Sequence, residues 1–221
     1  TLGSIKIEAG DYIGRTPTHI DGSLEGLSIP VEDLPESALR ANLSALKVER
    51  LKLNVSLAAD WQEAAEQLNI ASARLDVAGL GALSASASLI RVPRAAFEHP
   101  ESLADLTQAA AVKQAQLNFR DSGLAGRVLA KFAEVNKVSV EKVRSALTSN
   151  MPTLFGAITD AASRNRLIFA AIGFLNDPRT ISVFTTLETP TPLLKVIEAG
   201  RTAPQALPGL LKLDALANRP S

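Results

Sequence analysis

The chain of 221 residues contains no cysteine and only two histidines, one tryptophan and one tyrosine. Without cysteine there are no disulfides, no thiolate metal ligands and no cysteine nucleophile. Two separated histidines without HxxxH-type spacing are weak evidence for a metal site, so we interpret His19 and His99 as surface residues. The sequence also lacks a G-x-S-x-G elbow, a Walker loop and a G-x-G-x-x-G motif. We therefore predict a protein that is not an enzyme and that uses neither cofactor nor metal.

The sequence also lacks an excess of charge and a long apolar run. Lys plus Arg and Asp plus Glu both number 23, so the formal net charge is zero. This balance argues against a nucleic-acid partner, which requires a basic surface. No run of about 18 apolar residues is present to span a membrane. The chain begins at Thr1 with neither Met nor signal sequence, and we expect any anchor or export signal to lie upstream.

Strict alternation of apolar and polar residues dominates residues 47–91. Successive side chains of a strand point to opposite faces of its sheet, so alternation predicts a strand with one apolar face. The first run places four aliphatic residues on one face: Leu51, Leu53, Val55 and Leu57. We predict a curved antiparallel meander with strands at about 47–59, 67–78 and 82–91. Gly79-Leu80-Gly81 is the expected hairpin turn between the last two.

Shorter alternating runs predict further strands on both sides of this meander. They lie at about residues 3–9, 19–29, 114–119 and 181–187. Gly22 and Gly26 within the second of these runs indicate a bulge or a close backbone approach. Residues 60–67 begin with a capping-box pattern for a helical turn, but the strand patterns beside them favour a hairpin end. One face of the sheet is apolar and the other polar, so the sheet is expected to be covered on one side.

The apolar period becomes helical from Leu124 onward. We predict three consecutive helices: one from Leu124, one capped by Ser139, and a longest one from Pro152 to just before Asp177. The third carries an aliphatic stripe: Leu154, Ile158, Ile168 and Ile172. Further short helices are expected at residues 35–40, at residues 101–110 after Pro100, and up to Gly200. The tail from Arg201 is expected to pin itself to the body.

These patterns together predict an α+β fold. We expect a single α+β domain over residues 1–221, with a curved antiparallel sheet and a helical subdomain at 124–176. The three-helix insert would pack at one face or end of the sheet.

Three single residues have structural interpretations. Asp121 is interpreted as a cap for the following helix rather than a docking point. Trp61 and Tyr12 suit a membrane or partner surface, but half-buried core positions are favoured for both.

Several short motifs resemble those of uncharacterised proteobacterial envelope proteins. They are the turn Val77-Ala78-Gly79-Leu80-Gly81, the run Phe119-Arg120-Asp121-Ser122-Gly123-Leu124 with Arg127, and Thr189-Pro190-Thr191-Pro192. The resemblance spans most of residues 47–197, and the sheets of those proteins are loosely similar to AsmA-like β-groove lipid-handling proteins. It implies a periplasmic module, tethered to a membrane through a segment outside this sequence, with no catalytic residue. The long helical insert departs from the AsmA-like pattern.

The resemblance and the amphipathic elements lead to one functional prediction. We expect a non-enzymatic envelope module that binds a lipid or another hydrophobic ligand between sheet and helices. The expected ligand-binding residues are the two aliphatic rows: Leu51, Leu53, Val55, Leu57, Leu154, Ile158, Ile168 and Ile172. The alternative is a protein-interaction or structural scaffold domain of a larger membrane-tethered protein, for which the expected partner is another envelope protein. A lipid binder needs an enclosed apolar cavity, whereas a scaffold needs an exposed strand edge or apolar patch.

Overall fold

The structure, a computed structural model, describes residues 1–99 and 103–218. Within these residues nine strands form one antiparallel sheet: β1 Ser4–Ile13, β2 Thr16–Pro30, β3 Arg50–Gln62, β4 Gln67–Val77, β5 Gly81–Ile90, β6 Ala111–Asp121, β7 Thr180–Thr185, β8 Thr191–Pro192 and β9 Leu213–Ala217. Their spatial order is β1-β2-β3-β4-β5-β6-β7-β9, and the two-residue β8 pairs with β6. The sheet is an open, curved meander, and the predicted α+β fold is confirmed.

Eight α-helices accompany the sheet in the described part of the chain: α1 Ala38–Ala45, α2 Ala95–Glu98, α3 Leu103–Ala109, α4 Leu124–Asn136, α5 Val140–Leu154, α6 Ala161–Asn176, α7 Leu193–Thr202 and α8 Leu207–Leu210. Short 3₁₀ turns lie at Val31–Asp33, Glu63–Ala65 and Pro204–Ala206. The three helices α4, α5 and α6 lie between β6 and β7, as the change of apolar period predicts.

Two packed clusters lie at opposite ends of the long strands. At the β3 C-terminal end, Trp61 packs with Ile13, Val92 and Ala110, and partly buried side chains of α2, α3 and α7 pack against them. At the β3 N-terminal end, a second buried cluster comprises Val31, Leu43, Leu51 and Leu80. Leu124 at the start of α4 packs against this second cluster. Helices therefore cover the two ends of the sheet.

The turn between β4 and β5 requires glycine at Gly81. A Cβ atom there would lie 2.6 Å from the carbonyl oxygen of Arg120 and 2.8 Å from a ring carbon of Phe119. We expect Gly81→Ala to lower the free energy of unfolding by about 1–3 kcal/mol, because the added methyl group overpacks this contact. Urea unfolding followed by far-UV circular dichroism measures the change.

A matched control for Gly81→Ala is Gly126→Ala. Gly126 lies inside α4, and a Cβ atom there would meet nothing within 4 Å. This second substitution should raise the free energy of unfolding by about 0.5–1 kcal/mol, since alanine is the better helix former. Equal stability of Gly81→Ala and the unchanged protein would contradict the steric argument.

The boundary between α5 and α6 differs from the prediction. Pro152 does not start the longest helix but lies within the last turn of α5, which ends at Leu154. The third helix begins at Ala161, where the Asp160 carboxylate accepts a 2.7 Å hydrogen bond from the Ser163 N–H. This hydrogen bond from the Ser163 backbone holds the pKa of Asp160 below its usual value. The Asp160 cap, rather than Pro152, therefore sets the start of α6.

Two other helix boundaries were also wrong, and the C-terminal tail does more than the prediction states. The helical turn expected at residues 35–40 is instead α1, with Ser37 as its cap: the Ser37 hydroxyl accepts a hydrogen bond from the Arg40 N–H. Gly200 does not end its helix, because α7 continues to Thr202. The chain after α7 was expected only to pin itself to the body, but it adds β9 to the sheet beside β7. The helix expected after Pro100 is α3, and residues 100–102 lie outside the described part.

Candidate functional site

The strand register aligns two rows of mainly apolar residues that run across the strands on one face of the sheet. Reading from β1 to β9, the first row is Ile5, Leu24, Val55, Leu75, Leu83, Phe119, Ile181 and Ala217. The second row is Ile7, Gly22, Leu57, Ala73, Ala85, Leu117, Val183 and Ala215. Directly opposed residues of antiparallel strands point to the same face, so both rows lie on one side of the sheet.

The middle of this face is exposed. Seven large aliphatic side chains of the two rows keep between 38% and 73% of their surface accessible: Ile5, Ile7, Val55, Leu57, Leu75, Leu83 and Leu117. We call these seven residues the open apolar face. They extend from β1 to β6, and five strand spacings of about 4.8 Å make this roughly 24 Å. Single exposed aliphatic residues are common, whereas a contiguous set of this extent is typical of interaction sites.

Packed residues bound the open apolar face at both ends of the strands. In β3, residues 51–61 alternate without a bulge, so Leu51, Leu53 and Trp61 point to the same side as Val55 and Leu57. Leu51 and Trp61 are buried in the two end clusters, and Leu53 packs against the cluster that contains Leu51. Residues of β3 therefore pack at both ends of the open apolar face, and the centre of that face stays uncovered.

Helix α6 bounds the open apolar face on the β7–β9 side. The rings of Phe174 in α6 and Phe119 in β6 meet edge to face, with centroids 6.0 Å apart. Further along, the Cβ atom of Ala217 lies only 3.3 Å from the position a Cβ of Gly173 would take, so the α6 backbone approaches β9 closely. Ala215 in β9 is accordingly buried.

Polar contacts fix α6 in this position. The hydroxyl of the fully buried Ser163 donates to the Pro208 carbonyl oxygen at 3.1 Å. The Arg166 guanidinium donates to the Leu213 carbonyl and lies 3.5 Å from the Asp214 carboxylate. These contacts hold α6 against the segment that carries β9, so the helix is a fixed wall of the face.

The total accessible surface agrees with an uncovered face. The chain exposes 13139 Å², whereas a compact monomer of its 23.3 kDa mass exposes roughly 9,700 Å². A standard protein interface removes about 800 Å² from each partner. The excess surface is therefore larger than one such interface.

The predicted ligand-binding residues divide into three groups. Val55 and Leu57 lie on the open apolar face, while Leu51 and Leu53 belong to the cluster that closes one end. On the helical side, Ile168 and Ile172 are half-buried on α6, Ile158 lies in the α5–α6 connection and Leu154 is exposed. Helix α6 packs on β7 and β9, and β7 is four strand spacings from β3, roughly 19 Å. The strand row and the helical stripe therefore do not face each other.

Sequence reasoning missed most of the open apolar face. It named one row along β3, whereas the structure gathers single residues from β1, β4, β5 and β6 beside it: Ile5, Ile7, Leu75, Leu83 and Leu117. The signal was present, since four of these residues have polar neighbours on both sides in the sequence, and Leu83 begins the alternating run 83–89. Only the register aligns them into rows.

The other residues singled out in the sequence have structural positions. Asp121 caps α4, because its carboxylate accepts hydrogen bonds from the N–H groups of Gly123 and Ala125. His19 and His99 are exposed, as predicted. Trp61 is buried and Tyr12 is 57% exposed, so the expected half-buried position is wrong for Tyr12.

The described residues contain neither a metal-ligand cluster nor a membrane-spanning helix. Among them, no three His, Asp or Glu side chains come close enough together to hold a metal ion. No described helix combines the length and apolar character needed to cross a bilayer.

Fold and site together define an α+β protein whose open antiparallel sheet presents an apolar face between two packed ends and one helix. A family model described as "Uncharacterized protein" matches residues 74–218, more than half of the chain, and the chain belongs to that family. No curated protein and no solved structure matches the chain.

Proposed function

We propose that the protein is a non-enzymatic envelope module that binds the alkyl part of a lipid on its open apolar face. The observation that carries this proposal is the register, which aligns seven exposed aliphatic side chains from β1 to β6. The ligand would lie along the sheet with α6 as a side wall, rather than between two facing aliphatic rows. Leu51 and Leu53 would close one end of the face and not line it.

The dimensions of the face suit an alkyl chain. The hydrocarbon core of a bilayer is about 30 Å thick, so one acyl chain spans roughly 15 Å. The open apolar face, at roughly 24 Å across the strands, has room for a chain of that length. It is lined by aliphatic side chains, so selectivity among alkyl chains of similar length should be low.

Energetics also support an alkyl ligand. Fully burying a Leu or Val side chain is worth about 1.5–3 kcal/mol, so covering one that is already about 60% buried gains roughly 1 kcal/mol. Seven such side chains would contribute on the order of 7 kcal/mol before the cost of association is subtracted. The periplasmic, membrane-tethered location is part of the proposal and is supported by the resemblance of the sequence motifs.

Binding of a fluorescent fatty acid tests the proposal. The double variant Leu57→Gln/Leu75→Gln removes two adjacent aliphatic contacts, and we expect its dissociation constant to rise about tenfold or more. The matched control is Val135→Gln on α4, which is 66% exposed and lies outside the face. That control should bind as the unchanged protein does.

Two results would count against lipid binding on this face. One is the absence of fatty-acid binding by the unchanged protein, together with no lipid in native mass spectra of protein purified from cells. The other is an equal loss of binding in the double variant and in Val135→Gln. Urea unfolding of each variant shows whether it is folded, since changes at exposed positions should alter stability little.

A further inference from the structure

The outer edge of β1 offers unpaired backbone groups. Among the described strands, β1 pairs only with β2. Ile13 and Thr16 close a two-residue hairpin turn and therefore form a hydrogen-bonded pair. The register continues without a shift to Ser4. Since hydrogen-bonded residues alternate along an antiparallel pair, the odd-numbered residues of β1 bond to β2. The N–H and C=O groups of the even-numbered residues point outward.

We propose that a second copy of this chain pairs with β1 edge to edge and antiparallel, in the register that places Ile7 opposite Ile7 of the second copy. The two-fold axis would run perpendicular to the sheet through this pair. Both open apolar faces would then lie on the same side of one continuous sheet. The proposal concerns the strand edge, and it stands independently of lipid binding.

Charge selects this register. In it, Lys6 of each copy lies directly opposite Glu8 of the other, giving two pairs of opposite charge. A shift of two residues one way places Lys6 opposite Lys6, and a shift the other way places Glu8 opposite Glu8. Opposite charges directly across an antiparallel pair stabilise it, whereas like charges destabilise it.

An intrachain contact points to the same partner. Glu8 lies directly opposite Asp21 of β2, so two carboxylates are neighbours on adjacent strands. Within the described part of the chain, neither carboxylate has an ion-pair partner, and Lys6 has none either. The second copy's Lys6 would supply a cation beside Glu8.

The same register also matches the exposed apolar side chains at the two ends of β1. Leu2 and Tyr12 are 50% and 57% exposed, and the register brings each of them opposite the other in the second copy. On the opposite face, Ile7 is 73% exposed and meets its own symmetry mate. In a two-fold interface each patch must complement itself, and this register satisfies that condition for charged and apolar side chains alike.

The number of backbone hydrogen bonds is adequate for an interface. Residues 4–10 of the two copies would form four hydrogen-bonded pairs, and each such pair exchanges two bonds, giving about eight N–H···O bonds. Typical interfaces carry about 5–15 direct hydrogen bonds. The contact is narrow, so we expect a dimer that dissociates on dilution.

Disulfide trapping tests the register in a chain that has no cysteine of its own. In the proposed dimer the two Ile7 residues form a non-hydrogen-bonded pair with Cα atoms about 4.5 Å apart, within the range that a disulfide requires. Ile7→Cys should therefore form a covalent dimer under mild oxidation. Ile5→Cys is the matched control, because its symmetry mate would lie four residues away along the strand, so this variant should form no disulfide-linked dimer.

A charge exchange tests the pairing without cysteine. Sedimentation measurements over a range of concentrations should show that Lys6→Glu alone raises the dimer dissociation constant about tenfold or more. The double variant Lys6→Glu/Glu8→Lys restores opposite pairs and should recover the original value. Lys6 and Glu8 lie on the polar face, so fatty-acid binding should not change in either variant.

Several outcomes would overturn the proposal. They are a monomer at all concentrations, equal cross-linking of Ile5→Cys and Ile7→Cys, or a charge exchange that weakens the dimer as much as the single change does. Each of these results leaves the fatty-acid measurement unaffected. Failure of the dimer and failure of lipid binding are therefore distinguishable.

Discussion

Replacing Trp61 by alanine should lower the free energy of unfolding by about 3–5 kcal/mol, the usual cost of removing a large buried aromatic side chain. Trp61 is 7% exposed, and its indole N–H donates a 3.1 Å hydrogen bond to the Val92 carbonyl. Its ring centroid lies 4.5 Å from that of Phe97 in α2. The substitution therefore removes packing and a buried hydrogen bond together. Urea unfolding followed by circular dichroism is the measurement, because the variant has no tryptophan.

Two further variants separate the contributions of Trp61. Trp61→Phe keeps an aromatic ring against Phe97 but leaves the Val92 carbonyl without its donor, so the expected loss is about 1–3 kcal/mol. Phe169→Ala removes an aromatic ring that is 74% exposed on α6, and it should change stability by less than about 0.5 kcal/mol. A loss from Trp61→Ala no larger than that from Phe169→Ala would show that this cluster does not hold the sheet end.

Local alternation predicted the central strands because it requires only knowledge of neighbouring residues. Runs such as Leu51 to Leu57 place their side chains on one face whatever the rest of the chain does, and the structure has strands at each of the three central positions. The bulge beside Gly26 was also foreseen in the sequence, and the pairing of β2 with β3 shifts between Leu24 and Leu27.

The candidate site required information that no single strand contains. Leu51 and Leu57 occupy equivalent positions in the same alternating run, yet Leu51 is 9% exposed and Leu57 is 40% exposed. The difference arises because Leu43 of α1 and Leu80 of the β4–β5 turn pack against Leu51. Alternation states which face a side chain occupies, but not what covers that face.

The helical half of the predicted site lies apart from the strand row for a related reason. The stripe that includes Ile168 and Ile172 indicates a helix face that will be buried, but it carries no information on the partner. The partner of α6 is largely β9, a five-residue strand in the C-terminal segment. A strand so short has too few alternations to be recognised, and its pairing with β7 is a long-range contact.

Helices α4 and α5 share a hydrophobic cluster of their own. Leu129 is 2% exposed and packs with Ala133 and Val143, and the partly buried residues around them are Val138, Val140 and Leu147. All six lie on α4, α5 or their connection. A helical subdomain at residues 124–176 stays a prediction, and this local cluster leads us to expect that α4 and α5 can unfold separately from the sheet.

Replacing Leu129 by alanine should remove about 2–5 kcal/mol of stability from this cluster. Trp61 is the only tryptophan in the chain and lies in the cluster at the sheet end, so its fluorescence reports on the sheet, whereas circular dichroism at 222 nm is weighted toward the helices. In Leu129→Ala we expect the 222 nm transition at a lower urea concentration than the fluorescence transition. Two probes that separate in this way indicate that unfolding is no longer two-state.

The control for this experiment is Val135→Ala, which removes an aliphatic side chain that is 66% exposed on the same helix. Its two transitions should coincide with those of the unchanged protein, because an exposed valine contributes little to stability. Coincident transitions in Leu129→Ala, displaced together to lower urea, would mean that the helices and the sheet unfold as one unit. The contacts of Ser163, Arg166 and Phe174 with the β6–β9 side would then be strong enough to make α6 and its neighbours part of the sheet's own cooperative structure.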